Sequence, residues 1–109
     1  MRYQHKELSQ GKWFNFTFLE QMANIGSEIE RAIRWRDKIK QYSINAVDRA
    51  LELLGLTISD SKNIKRLKEL TRLKELLIDY FYFDNKFSSS DKLWKNYFYP
   101  FIYAARKNK

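Results

Sequence analysis

The 109-residue chain has no cysteine. That excludes a disulfide framework, thiolate catalysis and the cysteine-based zinc spacings. It has one histidine, His5, in a polar stretch near the N-terminus, so two imidazoles cannot share a metal or a proton relay. No glycine-rich phosphate loop is present. One proline and three glycines are too few for the frequent reversals of an all-β domain, which favours helices. No apolar run approaches the ~20 residues of a membrane-spanning helix, and "MRYQHKELSQGK" lacks the apolar centre of a secretion signal. A cytoplasmic location with no membrane association is expected.

Aromatic and basic residues are plentiful. Phe, Trp and Tyr make up 17% of the chain, and the net charge is +8 with a pI near 9.7. Such a balance suits a polyanionic partner, RNA or DNA. The bias toward Lys, Ile, Asn, Tyr and Phe left by an AT-rich genome produces the same charge without a partner. The length fits one domain, read as 13–109 behind a flexible polar arm at 1–12.

The apolar periodicity predicts four helices. The first starts at Phe18, with Thr17 and Glu20 as a capping box, and buries Met22, Ile25, Ile29, Ala32, Ile33 and Ile39. A short extended piece at 13–18 precedes it. Gly26, at the edge of that face, is expected to admit a close neighbour, because glycine otherwise costs about 1 kcal/mol in a helix. The second helix covers about 44–54, closed by Gly55, with a break from the first near Tyr42–Ser43; the apolar stripe nearly carries across that break, so one long helix is the alternative. The third runs about 62–83, capped from Ser59, Asp60 or Ser61. Its leucines recur every three residues, so its apolar surface spreads past half the circumference. The fourth, about 91–106, is capped by Ser90 and kinked by Pro100, whose ring opposes the carbonyl of Asn96. Short loops then give an all-α, up-and-down antiparallel four-helix bundle.

Little in this pattern carries reaction chemistry. Serines lack a neighbouring base to activate them. The arginine–histidine signature of HEPN-type ribonucleases is missing, since no histidine follows a helical arginine. Glu75, Asp79 and Asp84 are spaced to hold a divalent cation in a metal-dependent enzyme; carboxylates so placed more often offset nearby Lys and Arg. No catalytic residue, metal site or cofactor is assigned.

Binding features are sharper. Arg31, Arg34, Trp35 and Lys38 project within about 100° of one another on a helical wheel. A tryptophan among cations can stack on a base while the cations hold phosphates; its competing role is packing against the arm or a second subunit. Lys65, Lys68 and Arg72 form an exposed strip on the third helix. Arg36 projects from the apolar face and calls for an ion-pair partner, with Asp48, Asp79 or Asp84 as candidates, or for a path past the end of the bundle to water. In "LIDYFYFDN" four consecutive rings, Tyr80 to Phe83, cannot share one face. Tyr82 and Phe83 fall on the Lys68–Arg72 side. With Tyr97, Tyr99 and Tyr103 they exceed what one inner face holds and are expected at an oligomer interface, with base stacking as the competing use of the same rings.

The stretches "LEQMANIGSEIERAI", "RALELLGLTISD", "RLKEL", "DYFYFDN" and "YFYPFIYAAR" together resemble a family of small, helical, uncharacterised prokaryotic proteins, across roughly residues 12–106. The resemblance implies a compact helical fold and transfers no functional residue. In size, basicity and expected architecture the chain is also similar to the four-helix accessory proteins of diversity-generating retroelements, a likeness of shape with no shared motif. The reading that follows is a non-enzymatic homo-oligomer that binds nucleic acid, or a complex containing it, through a basic face. A protein–protein interaction module with incidental charge is the first alternative, and the carboxylate enzyme is the second.

Overall fold

The computed structural model describes residues 10–107. The expected arm therefore lies largely outside the described residues, as do His5 and residues 108–109. Five α-helices make up the described chain: α1 (Gln10–Trp13), α2 (Phe18–Trp35), α3 (Lys40–Ser59), α4 (Leu67–Tyr82) and α5 (Asp91–Lys107). A 3₁₀ segment, Ser61–Arg66, leads into α4. No strand occurs among the described residues. The extended piece expected at 13–18 is instead the end of α1 and a turn, in which Asn15 and Phe16 donate to the carbonyls of Lys12 and Trp13.

α2 begins where its caps place it. Glu20 N–H donates to Thr17 Oγ1 at 3.1 Å, and Thr17 N–H donates to Glu20 Oε1 at 2.9 Å. This satisfies two backbone donors that a bare helix end leaves open. The helix stops at Trp35, earlier than its apolar stripe predicts, and Ile39 is exposed. Trp35 carbonyl accepts both Lys38 and Ile39 N–H. Ser43 Oγ reaches back from α3 to the buried end of α2 and donates to Ala32 carbonyl at 2.7 Å. That bond ties the first turn of α3 to the last turn of α2.

α3 is longer than expected at both ends, and Gly55 lies inside it. Closure comes from Asp60, whose Oδ1 accepts Lys62 N–H at 3.1 Å and starts the 3₁₀ turn. That tighter winding explains Ile64. On an α-helix it would join the leucine stripe; on the 3₁₀ segment it is 67% exposed.

α2 lies between α3 and α5, its nearest neighbours. The core joins Met22, Ile25 and Ile29 of α2 with Leu53 and Leu54 of α3, Leu70, Leu73 and Leu77 of α4, and Trp94, Phe98 and Ile102 of α5. Gly26 faces Phe98 so closely that an added Cβ would stand 2.7 Å from the Phe98 Cβ. The missing side chain is what lets α5 approach. α5 runs through Pro100. Proline and the carbonyl four residues earlier, Asn96, belong to exposed residues, so water can serve the carbonyl that loses its donor.

A buried polar cluster pins the base of the fold. Trp13 Nε1 donates to Thr57 Oγ1 at 2.9 Å, Gln21 Nε2 donates to Asp60 Oδ2 at 2.9 Å, and Asn63 Nδ2 donates to Gln21 Oε1 at 2.9 Å. These residues come from α1, α2, α3 and the 3₁₀ segment. These hydrogen bonds in a low-dielectric interior specify which helices meet there, with Asn63 Oδ1 left without a partner.

Candidate nucleic-acid interface

The residues singled out by sequence divide between two regions. On α2, Arg31 and Arg34 are exposed. Arg31 donates to Glu28 Oε1 at 2.7 Å, and Glu28 also accepts from Arg49 Nε of α3 at 3.0 Å. Part of the cationic character of this face is thus offset within the chain. Trp35 packs edge-on against Tyr42 with ring centroids 5.1 Å apart. Lys38 lies in the turn after α2, where its Nζ stands 5.9 Å from the Trp35 ring centroid. Trp35 therefore uses its ring within its own chain, on a partner absent from the expected pair of arm or second subunit.

On α4, the strip comes together as a surface. Lys65, Lys68 and Arg72 line one shallow depression with Glu69, Thr71 and Glu75. The spacing of three and four residues stacks the cations on one face, reaching back to the last turn of the 3₁₀ segment. Arg72 Nη1 is 3.5 Å from Glu75 Oε2, with both side chains more than half exposed. A solvent-screened pair of this kind contributes little and opens readily.

The end of α4 answers the question set by its four rings. Tyr80 is half-buried and donates its hydroxyl to Asp91 Oδ1. Phe81 packs into the core. Tyr82 faces α3, not the Lys68–Arg72 side, and donates to Asp48 Oδ1. Phe83 is 71% exposed. Burial, then the bond to Asp48 and its charge, push the Tyr82 hydroxyl well above the ordinary tyrosine range.

The ring beside the basic strip is Phe87, from the loop between α4 and α5. Arg72 Cζ stands over it, 4.6 Å from its centroid. The loop is held by Asp79, a buried carboxylate that accepts Lys86 N–H at 2.9 Å and Phe87 N–H at 3.1 Å. Asn85 adds a clasp: its side chain donates to Ser89 carbonyl and accepts Ser89 N–H. Asn85 and Ser88 take left-handed backbone angles, φ 52° and 56°, a conformation asparagine tolerates better than most residues. Phe87 was not among the expected contacts. Its signal was an aromatic ring set in an otherwise polar loop, "DNKFSSSD".

Arg36 finds its carboxylate on α5. Its Nη2 donates to Asp91 Oδ2 at 2.6 Å, and both side chains are about one-third exposed. None of the three expected partners serves: Asp48 accepts from Tyr82, Asp79 caps the loop, and Asp84 is exposed. Burial alone would raise the Asp91 carboxyl, but hydrogen bonds from Tyr80 and Arg36 outweigh it and hold it below the ordinary aspartate range.

The same placements bear on the carboxylate enzyme. Both Asp79 oxygens bind backbone N–H groups, while Glu75 faces Arg72. Among the described residues no three His, Cys, Asp or Glu side chains gather where they could hold a metal ion. Of the rings expected at an oligomer contact, Tyr97 packs on Trp94, Phe98 and Phe101 of its own helix. Burial and the nearby Glu69 charge push its hydroxyl up to about 12. Tyr99 and Tyr103 stack on each other on the outside, 61% and 52% exposed. No helix among the described residues is long and apolar enough to cross a membrane.

Comparison with protein-family models, with curated proteins and with solved structures finds no match.

Proposed function

We propose that this protein binds nucleic acid through the α4 strip of Lys65, Lys68 and Arg72, with Arg31, Arg34, Trp35 and Lys38 of the α2 end as a secondary basic region. The observation that carries the reading is the convergence of three cations, Lys65 of the 3₁₀ segment with Lys68 and Arg72 of α4, on one exposed depression, in a chain of net charge +8. Phosphates are the chemistry that rewards several cations in a row, because each contact releases condensed counterions. The fold supplies a rigid mount, with Leu70, Leu73 and Leu77 buried on the far side of the same helix.

The architecture proposed beneath this strip is an up-and-down four-helix bundle of α2 to α5. Its support is the pairing of helix ends: Arg36 at the end of α2 meets Asp91 at the start of α5, while Phe18 at the start of α2 meets Phe101 near the end of α5.

Charge reversal tests the function. K65E/K68E/R72E changes only exposed side chains, so the fold should persist by circular dichroism. Binding of labelled RNA or DNA, followed by fluorescence anisotropy at low salt, should be lost. Binding equal to that of the unaltered chain would overturn the assignment to α4.

A second reading, homo-oligomerisation, is favoured by the outer face of α5. Leu93, Tyr99, Pro100 and Tyr103 are all exposed along it, an apolar stripe of the kind a second copy covers. Light scattering on a sizing column should give more than one chain per particle, reduced by Y99E/Y103E. A single-chain mass at every concentration would remove this reading and leave the nucleic-acid proposal standing.

A further inference from the structure

Two features beside the basic strip bear on which nucleic acid it takes. The first is the pairing of Arg72 with Phe87. Phe87 is half-exposed, with the Arg72 guanidinium 4.6 Å from its centroid. The Arg72 side chain is itself 54% exposed. A guanidinium plane backed by a ring is a surface on which a nucleobase stacks. The loop that presents Phe87 is fixed in advance by the buried Asp79 carboxylate and the Asn85–Ser89 clasp. Preorganisation of that loop lowers the ordering cost of binding.

The second feature is the acid content of the depression. Glu69 and Glu75 lie among Lys65, Lys68 and Arg72. Duplex DNA carries one phosphate charge per ~1.7 Å of its axis, twice the density of either strand. A wall of alternating sign is ill-matched to that dense field and suits the sparser charge of one strand. A duplex also hides its base faces within its own stack, so an exposed ring has nothing to meet there without prising a step apart.

Resting on the nucleic-acid reading above, we infer that the bound form is single-stranded, with an unpaired base stacked at the Arg72–Phe87 pair and the flanking phosphates on Lys68 and Lys65. The strand follows the α4 strip toward the loop. Phe87 contributes contact without charge, and Arg72 contributes both.

The test compares a labelled oligothymidine with a duplex of the same length, using the full chain. Three proteins are needed: the unaltered chain, Phe87→Ala and Arg72→Lys. Loss of base stacking at this ring means that Phe87→Ala should weaken single-strand binding roughly tenfold and leave its salt slope unchanged. Arg72→Lys keeps the charge but loses the plane. It should weaken the single strand several-fold with the same slope. The unaltered chain should prefer the single strand. Equal or tighter duplex binding, or oligothymidine affinity indifferent to both substitutions, overturns the inference while leaving the basic strip as a binding surface. If neither nucleic acid binds at low salt, the inference falls together with the reading beneath it.

Discussion

At the scale of single residues, Gly26 sets two effects against each other. Alanine in a helix interior is favoured over glycine by about 1 kcal/mol. At this position the new methyl would meet the Cβ, Cγ and Cδ1 of Phe98 at 2.7–2.9 Å. Those atoms are the root of a buried ring and cannot swing aside as a side-chain tip would. Overpacking of this kind costs about 1–3 kcal/mol, so the clash wins. Gly26→Ala should lower the urea midpoint; an unchanged or raised midpoint would show that α5 can retreat without cost. The buried cluster of Gln21, Thr57, Asp60 and Asn63 is held by the same logic of local fit. Each of these side chains is almost completely covered and makes at least one hydrogen bond to a neighbour, which offsets much of the cost of burying it.

At the scale of elements, two tied helix ends are expected to respond to acid. Asp91 joins Arg36 and Tyr80, at the ends of α2 and α4, to the start of α5. Asp60 closes α3 and holds Lys62 and Gln21. Burial pushes both carboxyls up, and the hydrogen bonds at each outweigh it, leaving both below the ordinary range. A folded-state value below the unfolded one of about 3.9 means stability present above that pH, lost as pH falls through the lowered value. Urea midpoints should therefore drop below about pH 4. The D60N/D91N chain should show a shallower drop, and a drop of the same depth would assign the acid sensitivity to other groups.

Elements also divide what was legible in the sequence from what was not. Caps were legible because they are local: Thr17, Glu20 and Ser90 act within three residues of themselves. The end of α2 was not, since it is tied by a serine on the next helix that donates to its Ala32 carbonyl. The 3₁₀ start before α4 was hidden too, because its residues keep a helical apolar period while the backbone winds more tightly. Of the candidate interface, the α4 cations followed from spacing. Trp35 and Tyr82 turned toward chain neighbours that a helical wheel does not contain, and Arg36 found an acid on a helix reached only by folding. Phe87 comes to Arg72 through a loop whose path depends on one buried carboxylate.

At the scale of the whole molecule, charge and aromatic surface are distributed unevenly. The core takes Trp13, Trp94 and Phe98 completely, and Phe14, Phe16, Phe18, Phe81 and Phe101 line its edge. Among the exposed rings, Phe87 stands beside the cations of α4 and Tyr99 with Tyr103 on the outer face of α5, while Tyr42, Tyr82 and Phe83 are exposed elsewhere. This separation lets one surface meet a polyanion and another meet a second copy without competing for the same side chains. Net positive charge resists self-association; neutralisation by a bound strand would lower that resistance.

The central claim is that α4 holds phosphates, and the salt dependence of binding tests it most directly. Affinity of the unaltered chain for an oligothymidine, measured across a series of salt concentrations, should fall linearly on logarithmic axes. The slope should be about −0.7 for each single-strand phosphate neutralised, and K65E/K68E/R72E should flatten it. An affinity that does not change with salt, or no binding at the lowest salt, would contradict the account.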